Sequence, residues 1–277
     1  MAHCIEDRKT ESLSTHETEE KSWVIVSVGT SSCAIPALSV TSMVMMPHVV
    51  PVPYMPNYVR GVINLRGQVL PLVDLRTRCG MEPLSEHVEK LCVLLEQREE
   101  DHKRWLNELE KSVVERRAFT LTTDPHKCTF GKWYDQFHTD DLILNALLKK
   151  FDEPHKAIHR IAHRVDEQMK AANYDGAVAL IEEARKGELF TLVNLFAAAR
   201  SQIRSNSREI AIVIERCGTF FALAADKVES TEALDMSAVS DIAEVTGISC
   251  RQVVEGIAKR KKDHSMVMLL DIDAVFE

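Results

Sequence analysis

The chain has 277 residues, of which 45% are hydrophobic and 27% charged, and its net charge is -8. Those values describe a globular protein of one large domain or two smaller ones. They argue against nonspecific nucleic-acid binding, which needs a basic face. No apolar run approaches the roughly 20 residues that a membrane-spanning helix takes.

The first 21 residues are polar and lack an apolar core, so they read as a disordered tail and not as a secretory signal. Seven cysteines, odd in number and irregular in spacing, read as reduced thiols of a cytoplasmic protein.

Residues 22–83 have β character. WVIVSVG is a β-branched run, and CAIPAL follows after a short turn. VRGVINLRGQVLPLVDLR reads as two strands joined through Arg66-Gly67, preceded by a loop punctuated by Pro51, Pro53 and Pro56. The methionines Met43, Met45 and Met46 suit either a core or a sticky protein-binding edge.

From 84 to 207 the periodicity is helical. The run from His87 to Arg117 contains no Gly or Pro and places apolar residues at near-helical spacing. Asp124-Pro125 predicts a helix start, with Asp124 as N-cap. Asp152-Glu153-Pro154 predicts another, and Asp175 lies near the start of the last long helix. Four helices with short connections predict an antiparallel bundle.

Residues 208–277 return to β character. EIAIVIERCGTFFALAADKV reads as a hairpin turning at Cys217-Gly218, and MVMLLDIDAVF as a further strand. The polar stretch 235–262 reads as loop with a short helix. Neither β portion closes a sheet alone, so the two belong to one domain around a helical insertion. The class is α+β.

The helical part carries four soft ligands: His102, Cys128, His155 and His159. His155 and His159 are four apart and share one helix face. One thiolate and three imidazoles suit a tetrahedral zinc shell. His163 continues the ladder and has the same spacing to His159, so the residues alone leave the choice of two among three open. His126 and His138 lie near Cys128 and read as solvated. Asp101, Asp152 and Glu153 are the sequence-near groups that could hold the imidazoles' other nitrogens.

Two resemblances cover nearly everything after residue 21. GVINLRGQVLPLVDL, FALAADKVES and VEGIAKRKKDHSMVMLLDIDAVF resemble the chemotaxis coupling protein CheW and the CheW-like domain of the histidine kinase CheA. That resemblance implies paired five-stranded SH3-like barrels in a noncatalytic scaffold linking chemoreceptors to the kinase. DHKRWLNELEKSV, HKCTFGKWY and PHKAIHRIAHRV resemble the chemoreceptor zinc-binding (CZB) domain. It implies His102, Cys128, His155 and His159 as Zn2+ ligands, the family spacing favouring the last two over His163, and a possible homodimer through the helices. Gly131 is read as allowing close helix approach near the metal, and Trp133 and Tyr134 as bundle core. Arg66 corresponds to an arginine that couplers use toward receptors. The acidic partner on the preceding strand is replaced here by Ser42.

The expected protein is a cytoplasmic chemotaxis adaptor, a CheW-like domain interrupted by a zinc site that senses zinc or an oxidant such as hypochlorous acid. A purely structural zinc staple is the second reading, and a metalloenzyme with an open coordination position the third.

Overall fold

The computed structural model describes residues 21–240 and 252–276. The expected tail, except Lys21, lies outside them, as do Cys4 and Cys250.

The first β portion runs through β1 (Ser22–Val28), β2 (Ser31–Pro36), β3 (Val40–Met45), β4 (Val49–Val50), β5 (Val59–Leu65) and β6 (Gln68–Asp74). A short helix, α1 (Leu75–Arg78), follows, its first turn capped by Asp74, whose side chain accepts from the Thr77 amide. The second β portion comprises β7 (Ile210–Arg216), β8 (Thr219–Ala225), β9 (Lys227–Ser240), β10 (Val254–Arg260) and β11 (Met266–Leu270), closed by a short helix over Ile272–Phe276.

The two portions interlock. A closed barrel has the order β1-β2-β11-β10-β9, and a six-stranded sheet has the order β3-β7-β8-β6-β5-β4. Each portion therefore supplies strands to both sheets, and the parallel pairs β2–β11 and β6–β8 join them across the insertion. The second unit differs from the expected five-stranded barrel: it is a six-stranded sheet, lengthened by the two-residue β4. Apolar alternation builds the cores. Val24, Val26, Ile35, Val73, Ile212, Phe221 and Leu223 meet in the largest of the β clusters.

Both predicted turns form. Arg66-Gly67 joins β5 to β6 with φ 53° and 89°, and the Gly67 amide donates to Asn64 Oδ1. Cys217-Gly218 joins β7 to β8 with φ 47° and 75°. Two β expectations are corrected. Of the expected loop 235–262, residues 235–240 and 254–260 are strand, because β9 pairs there with β10 and β10 pairs along β11, and residues 241–251 lie outside the described residues. The DIDAVF segment is helical beyond β11, its start capped by Asp271 accepting from Asp273 and Ala274 amides.

Between the portions lie α2 (Leu84–Val114), α3 (Thr129–Tyr134), α4 (Leu142–Leu148), α5 (Asp152–Lys170), α6 (Tyr174–Ala184) and α7 (Phe190–Asn206). A π-helical turn over Arg185–Leu189 joins α6 to α7 without a break. The bundle's fourth member is the pair of short helices α3 and α4, not one long helix. The Asp124-Pro125 expectation is also corrected: residues 124–128 form a turn, and α3 starts later with Cys128 as its cap. Trp133 and Tyr134 do pack against the bundle core. No helix among the described residues is long and apolar enough to cross a membrane.

Candidate metal centre

Three elements aim four side chains at one point inside the bundle. α2 supplies His102, the cap of α3 supplies Cys128, and the first two turns of α5 supply His155 and His159. Their ligand atoms all lie within 4.8 Å of one another. That is close to the spacing one ion imposes with metal–ligand bonds of roughly 2.0–2.3 Å. His102, His155 and His159 are 4%, 5% and 1% exposed, so these imidazoles belong to the core.

Burial holds all three imidazoles neutral. Desolvation lowers His102 well below its ordinary value. Desolvation, with the neighbouring His102 and His159, takes His155 down to about 3. Desolvation and His102 take His159 to about 4, against the opposing pull of the nearby Thr122 carbonyl. A neutral ring is the form that ligates a metal. His102 Nδ1 lies 2.7 Å from the Arg98 carbonyl, which fixes that nitrogen as the donor and turns Nε2 inward. His102 Nε2 and both ring nitrogens of His159 are buried without a well-formed hydrogen bond. Orphaned buried nitrogens carry a desolvation cost of about 1–3 kcal/mol each unless something binds them.

Cys128 Sγ lies 3.2 Å from His155 Nε2 and accepts from the Gly131 amide at 3.2 Å. Burial pushes the thiol up, against the Gly131 and Phe130 amides, which favour the thiolate. A cation is the element of such a site that would deprotonate it. The donor set, the neutral rings and the orphaned nitrogens all fit zinc.

Several expectations about the surroundings change. The carboxylates do not hold the imidazoles: Asp101 pairs with Arg104 and Arg98, Asp152 with Lys156, and Glu153 with Arg160. The backbone carbonyl of Arg98 takes that place, one helical turn before His102. Gly131 does not admit another helix. A Cβ there would lie 1.8 Å from the Pro125 carbonyl, so the glycine lets the 125–128 turn close over α3. His163 is exposed and outside the cluster. His126 and His138 are exposed, held by Asp135 and the Gln136 carbonyl.

Of the aromatic surroundings, Phe130 was not singled out in the sequence. Phe130 meets His102 and His155 edge-on at 5.7 and 4.9 Å. Trp105 lies 5.0 Å from His159 and donates from Nε1 to the Thr122 carbonyl. A cleft of about 530 Å³ opens on the cluster between Trp105, Leu121, Phe130 and Cys128.

Arg66 stands apart from this centre. It is exposed at the β5–β6 turn and makes no ion pair among the described residues. Ser42 lies on β3, separated from β6 by β7 and β8, and the strand that precedes and pairs with β5 is β4. Exposed Met43, Met45, Val50, Tyr54 and Met55 form apolar points on and beside β3 and β4.

Two family models match the chain. The CheW-like domain family matches residues 22–104 and 185–277, more than half of the chain. The chemoreceptor zinc-binding domain family matches residues 102–165. The chemotaxis protein CheW of Rhizobium meliloti (strain 1021) is 58% identical over 41 residues, 14% of this chain and 26% of that protein. The chemotaxis protein CheW of Helicobacter pylori (strain ATCC 700392 / 26695) is 44% identical over 55 residues, 20% of this chain and 33% of that protein. The matched stretches thus span about a quarter to a third of those relatives' length. Among solved structures, the scaffolding protein TtCheW from Thermoanaerobacter tengcongensis aligns with TM-score 0.44 and 15% identity over 93% of each chain. The regulatory CZB domain of DgcZ aligns with TM-score 0.36 and 18% identity, over 42% of this chain and 98% of that one. With two sheets shared by both β portions and a helical insertion between them, the chain belongs to the CheW-like domain family, its domain split around a chemoreceptor zinc-binding domain.

Proposed function

We propose that this protein is a cytoplasmic, noncatalytic chemotaxis adaptor, coupling chemoreceptors to a CheA-type histidine kinase and carrying its own zinc-dependent sensor. The domain would comprise 22–83 and 208–277, with 84–207 as the sensor. The observation that carries the reading is the convergence of His102, Cys128, His155 and His159 in the core of a bundle spliced into a CheW-like domain. Arg66, exposed and without an ion pair among the described residues, supports a receptor contact at the β5–β6 turn. The helical domain is the face through which a homodimer would form.

His102, Cys128, His155 and His159 would hold zinc, and zinc bound there would keep Cys128 as a thiolate at neutral pH. Four protein ligands leave no open position, which disfavours hydrolytic chemistry. Two stimuli fit the site. Metal arrival would satisfy the orphaned nitrogens of His102 and His159 and order the bundle. Alternatively, Cys128 Sγ takes the oxygen of hypochlorous acid, chloride leaves, and the resulting sulfenate is a weaker ligand. The cleft beside Cys128 supports access for so small an oxidant.

The test is a reconstituted receptor–kinase assembly containing this protein. Kinase output should respond to zinc or hypochlorous acid, and the Cys128→Ala/His159→Ala double variant should lose that response. A double variant as responsive as the parent would overturn the sensing reading and leave the structural-staple reading.

A further inference from the structure

We infer that α7 transmits the state of the zinc site to the β domain, with Phe196 as the sensing contact and the Glu209–Arg60 ion pair as the receiving joint. The inference rests on the zinc reading above.

Phe196 is fully buried on α7 and is not a metal-ligating residue. Its ring lies 6.0 Å from His102, 5.0 Å from Phe130 and 4.9 Å from Phe151. Those three rings belong to the three parts of the chain that carry the ligands: α2, the α3 segment two residues beyond Cys128, and the turn entering α5. One α7 side chain therefore rests on α2, on α3 and on the turn that leads into α5. Drawing the four ligand atoms onto one ion alters the surface against which Phe196 packs, and a close-packed core passes on such a change.

Two features leave α7 free to respond. The π-helical turn Arg185–Leu189 separates it from α6, whose end Arg185 anchors to Asn107 and Glu110 of α2. A π turn can absorb a shift in register that a regular helix resists. At the other end, a cavity of about 600 Å³ lies where the bundle meets the β domain, between Arg76, Met81, Val88, Leu91, Ile203 and Asn206. Ile203 and Asn206 of α7 border this open cleft.

The link onward is short. Residues 207–209 alone connect α7 to β7, which lies inside the six-stranded sheet. Within that link, Glu209 binds Arg60 of β5 at 2.7 and 2.8 Å, and its carbonyl accepts from the Met46 amide. Asp74, at the end of β6, lies 3.6 Å from the same guanidinium. A displacement of α7 thus reaches β5, β6 and the segment after β3 at one joint. By contrast, α2 meets β6 through α1 and a turn containing Gly80 (φ 73°) and Pro83.

Hydrogen exchange on the full chain, with zinc and with a chelator, tests the relay. In the parent, zinc should slow exchange within residues 84–206 and change it about fivefold or more at residues 210–216 and 59–65. Phe196→Leu should still bind one zinc per chain but lose the change at both β segments. Glu209→Ala, remote from the metal, should keep the change at 210–216 and lose it at 59–65. Zinc binding with no change at 210–216 in the parent, or a change that survives in both variants, would overturn the relay while leaving the zinc reading intact. Absence of zinc binding by the parent would overturn both. If Phe196→Leu fails to fold, the Glu209→Ala pattern decides alone.

Discussion

The two cores of this molecule are completed in different ways. Those of the β domain are assembled from Val, Ile, Leu, Phe, Trp, Ala and Cys side chains, and its buried charged residues among those described, Asp74 and Arg76, sit at the junction with the helices. The bundle instead buries Glu99, His102, Ser112, His155 and His159 among its apolar residues. Glu99 is paired with Lys103 and Arg200, and Ser112 donates to a helix carbonyl, but the imidazoles leave nitrogens unsatisfied. In the β domain Trp23 Nε1, Asp74 Oδ2, Thr77 Oγ1 and Arg78 Nε also lack hydrogen-bond partners but belong to no metal-ligating cluster among the described residues, whereas the unsatisfied imidazole nitrogens converge with Cys128, so the proposed zinc would complete the bundle alone. Zinc should therefore control one region and not the other.

The largest expected effect is removal of zinc. A ligand present at a thousand times its dissociation constant stabilises by about 4 kcal/mol, so chelation should lower the bundle's melting transition by that order and leave the β transition in place. Calorimetry on the full chain reads this, and a single transition shifting as a whole would break the distinction.

Truncating a buried side chain in each region sharpens it. Phe130→Ala should cost about 3–5 kcal/mol and Leu72→Ala about 2–5 kcal/mol. Only the first should depend on zinc, because Phe130 touches His102 and His155 whereas Leu72 lies in the sheet. Denaturant melts with and without the metal would show it.

Gly131→Ala should act on the site more than on the fold. Its Cβ would meet the Pro125 carbonyl and displace the turn that presents Cys128, weakening zinc affinity about 10–100-fold in a competition titration. Unchanged affinity would mean that the turn does not set the sulfur's position. His163→Ala should be smallest, within about 0.5 kcal/mol and with zinc content unaltered, because the side chain is exposed.

The reason these effects can be assigned to single residues is that much of the site was legible. The i, i+4 spacing of His155 and His159 needs only a helix to bring the rings together, and α5 begins where Asp152-Glu153-Pro154 suggests. Choosing between His159 and His163 required knowing which face is buried, which spacing does not encode. The Arg98 carbonyl was invisible for a simpler reason: any residue there presents the same backbone oxygen. Asp124-Pro125 has the chemistry of a helix start, yet Cys128 sulfur takes the capping role, because the Gly131 amide is turned toward it. Among the strands, β5 and β6 declare themselves through alternation and a glycine turn. β9 does not, since its polar end from Asp235 reads as loop until β10 pairs with it, Lys259 beside Asp235 and Ile257 beside Ser240.

One zinc should be held by one thiolate and three imidazoles. X-ray absorption at the zinc edge of the purified full chain tests it most directly. The expected spectrum has one sulfur and three nitrogen ligands per zinc, with the sulfur lost in Cys128→Ala. A parent spectrum without sulfur, or with a water oxygen in the first shell, would contradict it.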